Sequence, residues 1–266
     1  MQPWALVTPA SRGIGLELAR RLLQTTQVPV IATARRDVDQ TRERLLSGLP
    51  PINEARLHVL QVDVLGRADE QSIASAAATA ATLFPQKAGA YLHLALCTPG
   101  ILFPEKSPAQ INHDDALLTF RTNTLGPMLL LKHFAPLLPR KATLLARESG
   151  MPAQAVWATL SARVGSIGDN RLGGWYSYRA SKAGVNQVTK TFDNYLRASA
   201  GGKAMSVSLH PGTVKTRLSE AFWGGVGEGK LFSTAFAAEK LVGVVNSRVL
   251  EDRGKCWDWR GEEVPP

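Results

Sequence analysis

Trp4-Ala-Leu-Val-Thr-Pro-Ala-Ser-Arg-Gly-Ile-Gly-Leu-Glu-Leu-Ala19 decides the fold. An apolar run leads into a turn with glycines at 13 and 15, and Leu16, Leu18, Ala19, Leu22 and Leu23 follow at helical spacing, so the stretch reads as strand, glycine turn, helix. Gly13 and Gly15 let main chain approach a phosphate closely. The helix start beyond them offers unpaired N–H groups and the positive end of a dipole to an anion. A second apolar run, Val28-Pro-Val-Ile-Ala-Thr-Ala34, completes a βαβ unit and ends about 20 residues past Gly15, where an NAD-binding fold carries an acid for the ribose 2′-hydroxyl. Here stand Arg35 and Arg36, with Arg12 in the turn. Guanidinium groups suit a 2′-phosphate, so NADP(H) is expected over NAD(H).

Outward from this unit, the strand-like runs Leu57–Val62, Tyr91–Cys97, Ala155–Ser161, Met205–His210 and Lys255–Trp259 alternate with helical patterns over 68–83, 112–138 and 175–199. The alternation predicts an α/β fold, a single doubly wound parallel sheet of Rossmann type. No repeat, low-complexity tract or linker divides the 266 residues, so one domain over 1–266 is expected. Two irregular insertions interrupt it, Arg147–Gln154 and Arg217–Ser233. The second follows the sixth strand and is placed to form a substrate lid, because ligands of such sheets bind beyond the carboxyl ends of the strands.

Composition removes several function classes. With 44% hydrophobic and 20% charged residues the chain has an ordinary globular balance. No apolar run approaches the ~18 residues that span a bilayer, and no charged-then-apolar leader opens the chain, so no membrane partner and a cytoplasmic location are expected. Cys97 and Cys256 each fall in a strand-like run, which fits buried thiols in a reducing compartment. His93 and Cys97 share a strand face by period two but lack partners at metal-ligand spacing, so no metal site is expected. The net charge of +9 is dispersed without a basic run or an aromatic-interleaved stripe, which argues against nucleic acid.

The chemistry is carried by Tyr178 and Lys182 in Gly174-Trp-Tyr-Ser-Tyr-Arg-Ala-Ser-Lys182. A phenol and an ammonium one helical turn apart share a face. A neighbouring Lys⁺ favours the phenolate and is expected to draw its pKa from ~10 toward neutrality, making Tyr178 a proton donor for a carbonyl.

These elements, with Asp63-Val64 after the third strand, Asn123 in Asn-Thr-Leu-Gly and Pro211-Gly-Thr-Val-Lys-Thr216 after the sixth, resemble in their order the classical short-chain dehydrogenase/reductase family. The stretches Gly165–Asn170, Gly173–Lys182 and His210–Thr216 resemble more narrowly its C-factor-type branch of carbonyl reductases. The resemblance implies that Tyr178 is the acid–base residue, that Lys182 lowers its pKa and binds the nicotinamide ribose, and that Asn123 holds a water linking Lys182 to solvent. It further implies that Ile14 contacts the diphosphate, Asp63 with Val64 the adenine, and Val214 with Thr216 the carboxamide end. A homodimer or homotetramer is implied too.

Three positions depart from the family pattern. Pro9 stands at the first glycine of the turn, and Cys97-Thr-Pro-Gly100 replaces Asn-Asn-Ala-Gly, so Pro9 and Pro99 are expected to adjust to each other near the adenosine half of the cofactor. Ser161-Ala-Arg-Val-Gly165 puts Ala162 where the carbonyl-polarising serine stands, leaving Ser161, or else Ser166, as the candidate substitute. The expectation is an NADPH-dependent reductase of a ketone, aldehyde or C=N group on a mid-sized organic substrate. Non-redox chemistry on the same fold, or a binding role, stays open beside it.

Overall fold

The structure is a computed structural model that describes residues 2–65 and 70–266. Its opening motif folds as the pattern requires: β1 (Gln2–Thr8), α1 (Gly13–Thr25) and β2 (Val30–Ala34), with the two strands parallel and Val7 opposite Ala32. There follow α2 (Val38–Leu46), β3 (Leu57–Gln61), α3 (Gln71–Leu83), β4 (Ala90–Cys97), α4 (His113–Phe120), α5 (Gly126–Phe134), β5 (Ala155–Leu160), α6 (Tyr176–Ser199) and β6 (Ala204–His210). The chain then forms β7 (Thr213–Val214), β8 (Leu231–Phe232), α7 (Thr234–Asn246), β9 (Cys256–Asp258) and β10 (Glu263–Val264). The main sheet runs β10-β9-β6-β5-β4-β1-β2-β3 and is parallel throughout except for β10, which pairs antiparallel with β9.

The doubly wound parallel sheet is therefore present, finished at one edge by a hairpin that the run Lys255–Trp259 does not announce. The helix expected over 68–83 is α3; residues 66–69 lie outside the described residues. The leucine-rich stretch 112–138 is not one helix but α4 and α5 joined by a π-helical turn over Arg121–Leu125.

Strand alternation builds two apolar layers. Ala5 and Val7 face Leu18 and Leu22 of α1 and Leu241 and Val245 of α7. Trp4 and Leu6 face Ile73 of α3, Phe134 of α5 and Phe192 of α6. Each such side chain removed from water contributes about 1.5–3 kcal/mol, which fixes both helix layers on the sheet. One strand breaks period: β4 pairs Trp4 with Leu92 but Ala5 with Leu94, so His93 is the extra residue of a bulge. Leu92 joins the second layer with Ala95 and Cys97, while Leu94 and Leu96 join the first. The bulge thus cancels the shared face expected for His93 and Cys97, and His93 instead bonds the Pro152 carbonyl at 2.8 Å through Nε2.

Strand order reverses between β1 and β4, since β2 and β3 lie on one side of β1 and β4 on the other. Beyond the carboxyl ends of these strands lies the switch point where open α/β sheets hold ligands.

Candidate active site

The glycine turn leaves β1 through a cis peptide bond between Thr8 and Pro9. Ala10 N–H donates to the Thr33 carbonyl at 2.7 Å, which holds the turn against the end of β2. A Cβ on Gly15 would stand 2.0 Å from the Pro9 carbonyl oxygen, so the turn closes only over a glycine. Thr98 meets Pro9: its hydroxyl donates to the Pro9 carbonyl at 3.0 Å. Helix α1 has no side-chain cap and no acid in its first turn, so no capping side chain meets its leading N–H groups. Arg12, Arg35 and Arg36 are exposed, and among the described residues their guanidinium groups have no hydrogen-bonded or ionic partner.

Tyr178 and Lys182 are the third and seventh residues of α6 and both are buried, at 7% and 3% exposure. Lys182 Nζ donates to the Leu160 carbonyl at the end of β5 at 2.8 Å and stands 5.8 Å from the Tyr178 ring centre. The ammonium is therefore engaged by a carbonyl, and burial of the phenol outweighs its influence. Tyr178 is pushed up from the usual phenol range, which corrects the expectation of a phenol drawn to neutrality. Burial also lowers Lys182, to about 8, with the Cys97 and Cys256 thiols opposing.

Asn123 is fully buried in the π-helical turn. Its Oδ1 accepts from Ile101 N–H at 2.8 Å and its Nδ2 donates to the Ile101 carbonyl and the Ser181 hydroxyl, both at 3.0 Å. Ser181 donates in turn to the Tyr178 carbonyl at 2.8 Å, so Asn123 is linked to Tyr178 through one hydroxyl. A Cβ on Gly100 would sit 3.7 Å from Lys182 Nζ and from Leu218, and 4.0 Å from Asn123 Oδ1. Four segments distant in sequence converge there.

Ser161 is buried and donates to the Lys182 carbonyl at 3.3 Å, while Ser166 donates to the Pro266 carbonyl at 3.3 Å. Both hydroxyls are engaged with main chain. Asp63 Oδ1 accepts from Leu65 N–H at 2.9 Å, and Val64 packs against Gly126, where a Cβ would come within 3.0 Å of it. Thr216 reaches the glycine turn, its Cγ2 lying 3.6 Å from a Cβ position on Gly13. Val214 is buried, and its carbonyl accepts from the Ser219 hydroxyl at 2.5 Å. The stretch 217–233 is partly regular: a helical turn over Glu220–Gly225 precedes β8, which pairs with β7. Trp175 joins it to Tyr178, with ring centres 4.9 Å from Phe222 and 6.1 Å from Tyr178.

Sequence reading missed Glu105, Trp175, Ser177, Arg179 and Thr98. Glu105 is 3% exposed and binds Ser177, 72 residues on, so no local pattern marks it. Ser181 adjoins Lys182, and its helical spacing from Tyr178 was the one available signal.

Solved structures share this architecture. The NADPH-bound carbonyl reductase from chicken fatty liver superposes with a TM-score of 0.80 at 26% identity over all of both chains. Carbonyl reductase Sniffer of D. melanogaster does so at 0.81 and 25%, again over all of both. Among curated relatives, 1-hydroxy-2-glutathionyl-2-methyl-3-butene dehydrogenase of Rhodococcus sp. (strain AD45) is 35% identical over 133 residues, which is 50% of each chain. The chain thus spans half the length of that relative. The C-signal protein of Myxococcus xanthus is 28% identical over 155 residues, 58% of this chain and 81% of its own. The short chain dehydrogenase family profile matches residues 3–224, a span that runs from β1 through the glycine turn and the Tyr178–Lys182 helix to the Trp175-contacting segment. The chain belongs to the short-chain dehydrogenase/reductase family.

Proposed function

We propose that the chain is an NADPH-dependent reductase of ketones, aldehydes or related C=N groups on mid-sized organic substrates, with Tyr178 as proton donor. The observation that carries the reading is the buried Tyr178–Lys182 pair at the carboxyl edge of the parallel strands, beside the glycine turn. An adenine dinucleotide phosphate fits the residues present. Gly15 is closed against the Pro9 carbonyl, the first turn of α1 is uncapped, and Arg12, Arg35 and Arg36 offer guanidinium groups to a 2′-phosphate. Ile14, Asp63, Val64, Val214 and Thr216 are proposed to line the rest of the cofactor. Similarity to an NADPH-bound carbonyl reductase supports the same choice.

Bound there, NADPH supplies hydride to the electrophilic carbon. Tyr178 donates its phenolic proton to the substrate oxygen, so a C=O becomes CH–OH. The phenolate left behind is formed in a buried site, where the Lys182 ammonium, held on the Leu160 carbonyl, offsets its charge. Asn123 keeps this geometry through Ser181 and Ile101. Ala162 offers no hydroxyl, and Ser161 and Ser166 are engaged with main chain, so carbonyl polarisation rests on Tyr178 and favours activated groups such as aldehydes. Trp175 and Phe222 give the substrate side an aromatic wall.

The test is NADPH oxidation with a panel of aldehydes and ketones, beside NADPH and NADH titrations by fluorescence. Aldehyde-dependent oxidation is expected, and a charge-assisted contact of ~1.5–3 kcal/mol to the 2′-phosphate predicts about tenfold or greater preference for NADPH, diminished in Arg35→Ala. Equal affinity for both cofactors, or product without NADPH consumption, contradicts it.

A further inference from the structure

The turn that delivers Tyr178 is built in an unusual way. Gly173, Gly174 and Trp175 adopt left-handed φ in series, at +62°, +67° and +51°. Trp175 stands at the N-cap of α6 and provides no side-chain acceptor, and the first turn of the helix contains no acid. A helix start of this kind leaves donors unpaired. Glu105, from the loop after β4, fills that role from outside the helix. Its Oε2 accepts Ser177 N–H at 2.8 Å, its Oε1 accepts the Ser177 hydroxyl at 2.5 Å, and its main-chain carbonyl accepts Trp175 N–H at 2.6 Å. Gly174 is required at this contact, since a Cβ would lie 3.2 Å from the Glu105 carbonyl on a backbone already left-handed. Arg179 holds the other side of the turn, donating to the Gly173 and Gly174 carbonyls at 2.9 Å each.

A carboxylate buried to 3% exposure is costly unless hydrogen-bonded, and the positive end of a helix is a place where it is favourable. Ser177, which it holds, immediately precedes Tyr178. The same loop is fastened at Ile101 by Asn123, whose Ser181 link ends on the Tyr178 carbonyl. Tyr178 is thus bracketed by two anchors from the segment 101–105. The geometry points to Glu105 as a positioning residue for the proton donor: it caps α6 in place of a local side chain and sets where the Tyr178 phenol stands. Lys182 lies a turn further on, with its own anchor on the Leu160 carbonyl.

This inference rests on the assignment of Tyr178 as proton donor, and its test separates the two. Glu105→Gln keeps the size and removes the charge, setting an amide NH₂ or a single acceptor against two donors. Rates of 4-nitrobenzaldehyde reduction are measured at enzyme excess over NADPH, and NADPH affinity by fluorescence titration. A misplaced reacting group costs far more in rate than in binding, so Glu105→Gln is expected to cut the reduction rate by about tenfold or more while NADPH affinity stays within about threefold. In a Tyr178→Phe background the same substitution is expected to cost less than about twofold, because the group it positions is gone. An unchanged rate, a parallel loss of NADPH affinity, or a tenfold loss that persists without the Tyr178 hydroxyl overturns the proposal. Should Glu105→Gln fail to fold, Ser177→Ala removes the hydroxyl contact alone and carries the same cycle, with a loss of about threefold expected and the same vanishing in Tyr178→Phe. A Tyr178→Phe enzyme that reduces the aldehyde at the parent rate instead overturns the assignment of the donor, and this inference falls with it.

Discussion

Burial sets the protonation states of Tyr178 and Lys182 on which the proposed reduction depends. The phenol, raised by desolvation, stays protonated and able to donate. Lys182, lowered by desolvation to about 8, is an ammonium at neutral pH and loses its charge just above it. Its charge offsets the phenolate created by proton donation, so the reduction rate is expected to be level below pH 8 and to fall above it. Lys182→Met should be slow at all pH values and lack this limb. The stability contribution runs the other way: the unfolded lysine keeps its proton to ~10.4, so between about 8 and that value the folded form binds fewer protons and gains stability as pH rises. A pH–rate profile with and without Lys182 checks this, and a limb that persists in Lys182→Met contradicts it. The sequence placed both residues correctly on one helix face. It did not foresee the upward shift of Tyr178, because that follows from burial, which is not a property of spacing.

At the scale of elements, α6 carries the proposed proton donor and its seat is set by close approach. A Cβ on Gly165 would stand 2.7 Å from the Lys182 carbonyl carbon and 3.0 Å from Ala183 N, backbone atoms that cannot turn aside. Gly165→Ala is therefore expected to push α6 outward at Lys182, destabilising the protein by about 1–3 kcal/mol and lowering the rate together. Gly243 in α7 has nothing within 4 Å of its Cβ position, and Gly243→Ala should stabilise by about 0.5–1 kcal/mol with no change in rate. Thermal melts and kinetics of the pair check the contrast; equal behaviour contradicts it. Strand and helix identities around this seat were legible because β1 and β5 are short continuous apolar runs, while α6 repeats its buried residues at helical spacing. The bulge at His93, the π-helical turn that buries Asn123 and the β9–β10 hairpin were not, since each depends on pairing or packing with distant chain.

Over the whole molecule, α6 is fixed near both ends by buried carboxylates. Glu105 caps its start, and near its end the fully buried Asp193 pairs with Arg253 at 2.8 Å and accepts Ser206 N–H at 3.1 Å. Breaking such a buried pair typically costs 3–5 kcal/mol, so the far end of the helix is held to β6 and the residues before β9. These anchors are contributed by segments dozens of residues away, and for that reason the sequence pointed to the Tyr178–Lys182 pair but not to the frame that seats it. What the frame delivers is a phenol at the carboxyl edge of the sheet, proposed to protonate the substrate. Tyr178→Phe keeps the ring and removes only the hydroxyl, while Tyr176, two residues earlier and about 200° around the helix, is 40% exposed and serves as control. Measured as aldehyde-dependent NADPH oxidation, Tyr178→Phe is expected to lose a factor of ~10²–10⁴ with NADPH affinity retained, and Tyr176→Phe to keep the parent rate. A Tyr178→Phe enzyme at the parent rate, or a loss confined to Tyr176→Phe, contradicts the account.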